Sequence, residues 1–494
     1  MEENTTKDTQ NDTTQSPSIL KGFLEFFYGN AVALLLGFIS VPIITRVMST
    51  DEFGRTSLFS STVSIIYICA ILGLDQSYIR YYFNENVDRR KLFKQCLLPP
   101  LALILVLSAV YLVFSGFFNN ILFERDGLDI TLLVVGYTIT SVFERFLFLN
   151  IRMDQRGKLY SNLNIVSKVL YIVFILLFVY ILGDDFRVGL YALTLPLVIV
   201  TGGLFIRFAL AGKSAVKSQH NLSVKELLTY GVPFVPMLLM EWLLSSMDRW
   251  SIRIFNDFSQ TGIYASAMQI MSVLLTFKIT YVAFWSPIAI KKYEEEKEEV
   301  AKEFFADMFQ KVQFLCVLAA FMLTCFRGII VLVLGPEYRS ANRIIPFLSL
   351  MPILSILFEM TGQGIKFKKK PIYFNYASIA AIICNLVGNT LLVPIYSGVG
   401  AAAATAATYI VYFAIGTFFA QKCYPVKYDY SKFIVNLALY LIYASFATAV
   451  EKEWLNVVVG LVLIGVIMIL NKNVVKSLFG YVMDYIGKLL GRKK

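Results

Sequence analysis

The chain is 494 residues long, 57% hydrophobic and only 16% charged. A soluble fold has no way to bury that much apolar surface, and continuous apolar runs such as "AVALLLGFISVPII" and "LYIVFILLFVYIL" exclude the alternating pattern of a membrane β-barrel. The net charge of +11 is spread over short gaps between apolar segments, where membrane topology accounts for it, so no nucleic-acid partner is expected.

In chain order, residues 1–19 are rich in Thr, Asn, Asp and Gln and are expected to form a disordered cytoplasmic tail. No small-residue cleavage site precedes the first apolar run, so no removable signal peptide is expected. Six spans follow at 20–45, 57–80, 96–119, 128–150, 160–182 and 187–210, then a cytoplasmic linker at 211–227. Six more lie at 228–254, 262–290, 308–334, 341–365, 372–395 and 399–421. Region 422–494 holds two further spans, 431–449 and 454–471, and a basic cytoplasmic tail. The expected fold class is therefore an all-α polytopic membrane protein with about 14 transmembrane helices.

The gaps after even-numbered spans, with the span ends beside them, carry most of the Lys and Arg residues between spans, and those after odd-numbered spans carry far fewer. This asymmetry places both termini in the cytoplasm of a multi-pass plasma-membrane protein. The run "YEEEKEEVAKEF" reads as a solvated helix extension, and "KFKKK" at Lys366–Lys370 as a topological anchor with some capacity for anionic head groups. None of the six cysteines forms CxxC, and His220 is the single histidine, so neither a metal site nor any other cofactor is expected. "AGKS" at Ala211–Ser214 lacks the first glycine of a phosphate loop, whose place is taken by Arg207.

Two halves echo each other. "EFGRTSLFSSTVSI" aligns Gly54 with Gly262 of "QTGIYASAMQIMSV", and "GDDFRVGLYALTLP" aligns Gly189 with Gly400 of "YSGVGAAAATAATY". The offsets are 208 and 211, which indicates a six-span repeat: an N-lobe at 20–210, a C-lobe at 228–421 and two appended helices. Duplicated bundles around a cavity are a transporter architecture. Pro42, Pro233 and Pro236 are candidate bending points within it.

"GFISVPIITRVMSTDEFGRTSLF" with "LGLDQSYIRYYF", then "YGVPFVPMLLMEWLLSSMDRWSI", "GIYASAMQI" and "FWSPIAIKKYEE", and finally "LGPEYRSANRIIPFLSLMPIL" and "NLVGNTLLVPIYSGVGAAAATAATYIVY" resemble the bacterial polysaccharide-repeat flippases of the multidrug/oligosaccharidyl-lipid/polysaccharide exporter superfamily. The resemblance covers roughly residues 20–425 and leaves the last two spans unmatched. It implies fourteen helices in two six-helix lobes. It also implies translocation of polyprenyl-pyrophosphate-linked oligosaccharide repeat units from the inner to the outer leaflet, for exopolysaccharide or capsule biosynthesis. The partners it implies are that substrate and membrane lipids, with a polysaccharide polymerase and chain-length proteins as further candidates.

A charge within a span normally faces a cavity or a partner. The basic candidates for holding a pyrophosphate are Arg46, Arg80, Arg145, Arg249, Arg253 and Lys278, since guanidinium groups give bidentate hydrogen bonds to phosphate. The acidic candidates for a coupling ion, or for internal ion pairs, are Asp75, Glu241, Asp248 and Glu359, with Glu241 foremost for the ion because its neighbours are apolar, and with an internal pair between Asp248 and Arg249 or Arg253 as the alternative. Trp242, Trp250 and Trp285 are expected to pack or anchor more than to stack on sugars. The alternative function is a cation-coupled multidrug exporter of the same superfamily. Nine basic against six acidic side chains in or near the spans, counting Glu25 at the first entrance, favour the anionic substrate. Outward gaps are short and hold no catalytic carboxylate pair beyond the turn-like Asp184–Asp185, so an enzyme is not expected.

Overall fold

The structure is a computed structural model that describes residues 32, 34–84, 87–210 and 222–489. The expected tail at 1–19, the start of the first span with Glu25, the stretch 211–221 with Ala211–Ser214 and His220, and the last five residues lie outside the described residues. Every regular element among those described is helical, and twelve helices are long and apolar enough to cross a membrane. The protein is an all-α, multi-pass membrane protein.

Helix α1 (Leu34–Val47) leads into α2 (Thr50–Ile71), and Leu72 and Gly73, both at positive φ, break the chain before α3 (Leu74–Tyr81). Gly73 is needed there twice over. Its φ is +66°, and a Cβ would overlap the carbonyl of Gly231. The sequence-based span at 57–80 is thus two helices. Asp88 then caps α4 (Arg89–Val113) by accepting from Arg90 N at 2.9 Å. Helices α5 (Ser115–Phe123), α6 (Leu128–Met153), α7 (Gly157–Leu182) and α8 (Arg187–Leu210) follow.

Ser223 and Glu226 form a reciprocal capping box that starts α9 (Val224–Gly231). Pro233 cannot donate to a helical ladder, and the chain passes through one 3₁₀ turn, Val232–Phe234, before α10 (Val235–Phe255). Asp257 caps α11 (Phe258–Glu295), and α12 (Glu298–Cys325) returns across the membrane. Short pieces follow: α13 (Arg327–Ile330), two 3₁₀ segments, α14 (Ile345–Leu348), α15 (Leu350–Thr361) and α16 (Gln363–Phe367). The 52-residue α17 (Ile372–Cys423) breaks at Ser397 (φ 53°, ψ −131°) into two arms. The arms pack through small residues: a Cβ on Gly388 would press on Ala404, and one on Gly400 would overlap the Leu392 carbonyl. The chain ends with α18 (Tyr430–Ala449), α19 (Glu453–Leu470) and α20 (Lys472–Leu489).

The chain forms two compact units. The first is Thr62–Leu238 with the described residues up to Ser40; the second is Val41–Ser61 with the chain from Leu239 onward. The first unit's core gathers Leu74, Tyr78, Leu92, Phe93, Val142 and Phe146. In the second, residues 41–61 are fastened by close backbone approach. The two glycines that the repeat aligns meet reciprocally: a Cβ on Gly54 would overlap the Phe258 carbonyl, and one on Gly262 the Thr50 carbonyl. Thr50 Oγ1 and Ser259 Oγ are 2.7 Å apart, and Tyr338 donates to the Ser49 carbonyl at 2.7 Å.

The two appended spans are welded to α12. That helix ends with carbonyls that have no helical partner, and Asn456 Nδ2 donates to two of them, Thr324 O at 3.0 Å and Cys325 O at 3.2 Å. The fully buried Arg327 donates to Glu453 Oε1 at 3.1 Å, and Tyr440 donates to Pro346 O at 2.6 Å.

Candidate functional site

The richest polar site lies in the second unit, around Asp248 of α10. Asn385 and Asn389 stand one turn apart on the first arm of α17, so both reach the same oxygen: their Nδ2 atoms donate to Asp248 Oδ1 at 3.1 and 2.8 Å. Thr405, on the second arm, donates to Oδ2 at 2.6 Å, and Tyr264 of α11 donates to the same oxygen at 2.5 Å. The small residues at the hairpin's turn, Gly398 to Ala404, let the two arms approach closely enough for this convergence. Asp248 is 3% exposed, and each of its four partners is buried. All four donors are neutral. The alternative reading, an ion pair between Asp248 and Arg249 or Arg253, is therefore not what satisfies this carboxylate. Asn389 Oδ1 is buried beside it and accepts no hydrogen bond among the described residues.

The site thus combines one full negative charge with a set of amide and hydroxyl oxygens that can be turned toward it or away. Each neutral group can exchange a donated hydrogen for a lone pair by rotation.

The remaining candidates sort into distinct arrangements. Asp75, in the first turn of α3, accepts from Arg145 Nη2 at 2.6 Å and Nε at 3.2 Å, which joins a coupling-ion candidate and a phosphate candidate in one ion pair of the first unit. Glu359 of the second unit sits between two lysines, with Lys366 Nζ at 3.1 Å and Lys278 Nζ at 3.8 Å. Among the described residues Arg46 donates to main-chain carbonyls: Pro42 O and Val333 O at 2.9 Å, and Leu332 O at 3.4 Å. Arg253 stacks on the Phe258 ring at 4.1 Å, and Arg55 lies 4.3 Å from the same ring. Arg249 makes no hydrogen bond or ion pair among the described residues, and its Nε is buried. Arg80 and Glu241 are exposed and likewise make none among the described residues. Trp242 and Trp250 donate to Ser61 O and Ser61 Oγ at 3.0 and 3.2 Å, and Trp285 is buried against Phe304 and Phe305.

Residues 19–289, more than half of the chain, match the family described as polysaccharide biosynthesis protein. The chain belongs to that family. Among curated relatives, the probable low-salt glycan biosynthesis flippase Agl15 of Haloferax volcanii is 19% identical over 415 residues, 84% of this chain and 86% of that one. The capsular polysaccharide biosynthesis protein CapF of Staphylococcus aureus is 23% identical over 401 residues, covering 78% and 94%. Among solved structures, the lipid II flippase MurJ in its inward closed conformation superposes with a TM-score of 0.66 over 92% of this chain and all of that one, at 9% identity. The MATE multidrug transporter DinF-BH gives 0.55 over 85% and 98%, at 18% identity. These structural likenesses are likenesses of fold.

For this member of the family, sequence reasoning put Glu241 first, named Asp248 only beside it, and missed the partners of Asp248. Asn385, Asn389, Tyr264 and Thr405 carry no formal charge, and a search for charged residues in spans passes over them. "NLVGN", with two asparagines four residues apart in an apolar helix, was a readable signal. Thr405 within an alanine run gave none.

Proposed function

We propose that the protein is a flippase that moves polyprenyl-pyrophosphate-linked oligosaccharide repeat units from the inner to the outer leaflet by alternating access, for cell-surface polysaccharide biosynthesis. It works as a transporter with no catalytic step, its termini are cytoplasmic, and its two lobes correspond to the two six-span repeats. Family membership and the names of the curated relatives support this reading.

The observation that carries it is Arg249. A guanidinium in a membrane-spanning helix costs about 2.5–3.5 kcal/mol on insertion scales, and an uncompensated one is retained where an anion meets it. Arg249 has the Asp248 charge nearby but makes no hydrogen bond or ion pair with it among the described residues, because that carboxylate is already met by four neutral donors, so the donors of Arg249 are not committed to it. Arg46, bonded to carbonyls, is the second group able to turn to a pyrophosphate. Arg253, Lys278, Arg145 and Arg80 are auxiliary phosphate contacts in this reading. Asp248 is the coupling-ion group, whereas Asp75 and Glu359 hold the neighbouring cations in place.

The test is purified protein in vesicles loaded with a lipid-linked oligosaccharide. Wild type exposes the sugar on the opposite leaflet; Arg249→Ala abolishes this while remaining monodisperse and folded. Full transport by Arg249→Ala sinks the reading. The multidrug alternative predicts instead that overexpression confers resistance to cationic drugs while lipid-linked sugar is not moved.

A further inference from the structure

The last helix, α20, follows the final span directly, and it is not among the helices long and apolar enough to cross a membrane. Its departure point is fixed. Asn471, which closes α19, is 2% exposed; its Nδ2 donates to Ile467 O at 2.9 Å and Asn436 Oδ1 at 3.3 Å. Asn436 in turn donates to Gln313 Oε1 of α12 at 3.4 Å. Gln313 stands where α12 changes character: the charged stretch from Glu298 ends at Lys311, and an apolar stretch runs on to Cys325. The buried amide cluster therefore sets the start of α20 at the level where α12 enters the apolar phase.

One face of α20 packs on the second unit's core through Val474, Val475 and Leu478. An adjoining, solvent-accessible face carries Lys472, Lys476, Phe479 and Met483, at spacings of four, seven and eleven residues, which fall on one stripe of a helix. All four are exposed; Phe479 is 65% and Met483 53% exposed. Water suits the lysines and disfavours the phenylalanine and methionine, while hydrocarbon does the reverse. Only the boundary between head groups and acyl chains suits both. The helix holds three lysines and one aspartate, so its electrostatic complement is an anionic surface.

We propose that α20 is an in-plane membrane helix that binds anionic phospholipid: Lys472 and Lys476 meet the phosphate-bearing head groups, and Phe479 and Met483 enter the acyl boundary beneath them. The site is independent of whatever the protein carries. It assigns the C-terminal helix, which sequence reading takes as a basic tail, to choosing the lipid around the last two spans.

The experiment uses full-length protein with Phe479→Trp in nanodiscs of mixed phosphatidylcholine and phosphatidylglycerol, bromine being carried on the acyl chains of one lipid or the other. The protein without the substitution supplies the background of its four native tryptophans. At equal mole fraction, brominated phosphatidylglycerol is expected to quench the added tryptophan about twofold more than brominated phosphatidylcholine. Lys472→Gln with Lys476→Gln should remove that excess and leave the residual quenching equal for both lipids. Equal quenching with both lysines present overturns the charge selection, and absence of quenching by either lipid overturns the membrane placement. The substituted positions are exposed and away from Val474, Val475 and Leu478, so these variants keep the packed face intact.

Discussion

Asp75 in the first unit and Asp248 in the second are equally buried, at 3% exposure, and both accept from neutral donors, Gln76 in the case of Asp75, but only Asp75 also holds a cation. Asp75 meets a guanidinium: Arg145 places two nitrogens on one of its oxygens. Asp248 meets four neutral donors, one from α11 and three from the two arms of α17. An ion pair is committed, since releasing either partner strands a charge. A carboxylate held by neutral dipoles keeps its own charge available, and the dipoles can rotate to serve a newcomer. Two aspartates that look alike in the sequence thus sit in different settings, an ion pair in one unit and a pocket of neutral donors in the other.

The largest effect that would sharpen this contrast is on transport. Asp248→Asn removes the charge but leaves groups of the same shape, with the Tyr264 and Thr405 hydroxyls free to turn and accept. Coupled movement of lipid-linked oligosaccharide in vesicles is expected to fall to background, with thermal unfolding in detergent nearly unchanged. Retention of ion- or proton-driven transport by this variant would break the comparison at its functional end.

Asp75→Asn is expected to do the reverse. It strands the Arg145 guanidinium, whose side chain is 38% exposed, so water recovers part of the loss. A destabilisation of about 2 kcal/mol, below that of a fully buried broken pair, should appear in the unfolding midpoint. Adding Arg145→Gln should restore a good part of it, because both charges then go together. If the single and double variants are equally destabilised, Asp75 does not stabilise the fold through that pair.

The sequence made one side of this contrast easier to read than the other. Span positions were legible because apolar runs in this chain are punctuated by charged residues and asparagine: the expected 431–449 and 454–471 are Tyr430–Ala449 and Glu453–Leu470. The break at Leu72–Gly73 was not legible, because it depends on backbone at positive φ and on the approach of Gly231, far away in the chain. Among the charges, Asp75, Arg145, Lys278 and Glu359 were each recognisable alone, but their pairing follows from which helices pack, a tertiary fact. The neutral half of the Asp248 pocket was hidden for another reason. Threonine and tyrosine are ordinary in spans, so only their convergence distinguishes them. The amphipathic stripe of α20 was visible in the spacing of Lys472, Lys476, Phe479 and Met483, and was obscured by reading its lysines only as topology.

The smallest expected effect tests whether the neutral donors share their work. Tyr264 and Thr405 both donate to Asp248 Oδ2, and their hydroxyls are 3.5 Å apart. Tyr264→Phe keeps the ring and removes one of these two donors to a carboxylate, so a loss of about 1.5 kcal/mol in unfolding free energy is expected. Thr405→Val should cost a similar amount. Together they leave Oδ2 with no donor at all, a buried charged atom unsatisfied, and the double variant should lose more than the two single losses combined. Strict additivity would mean that each hydroxyl acts alone. A carboxylate so served has no spare donor to release, and an incoming ion could then displace a hydroxyl only at the full cost of that bond.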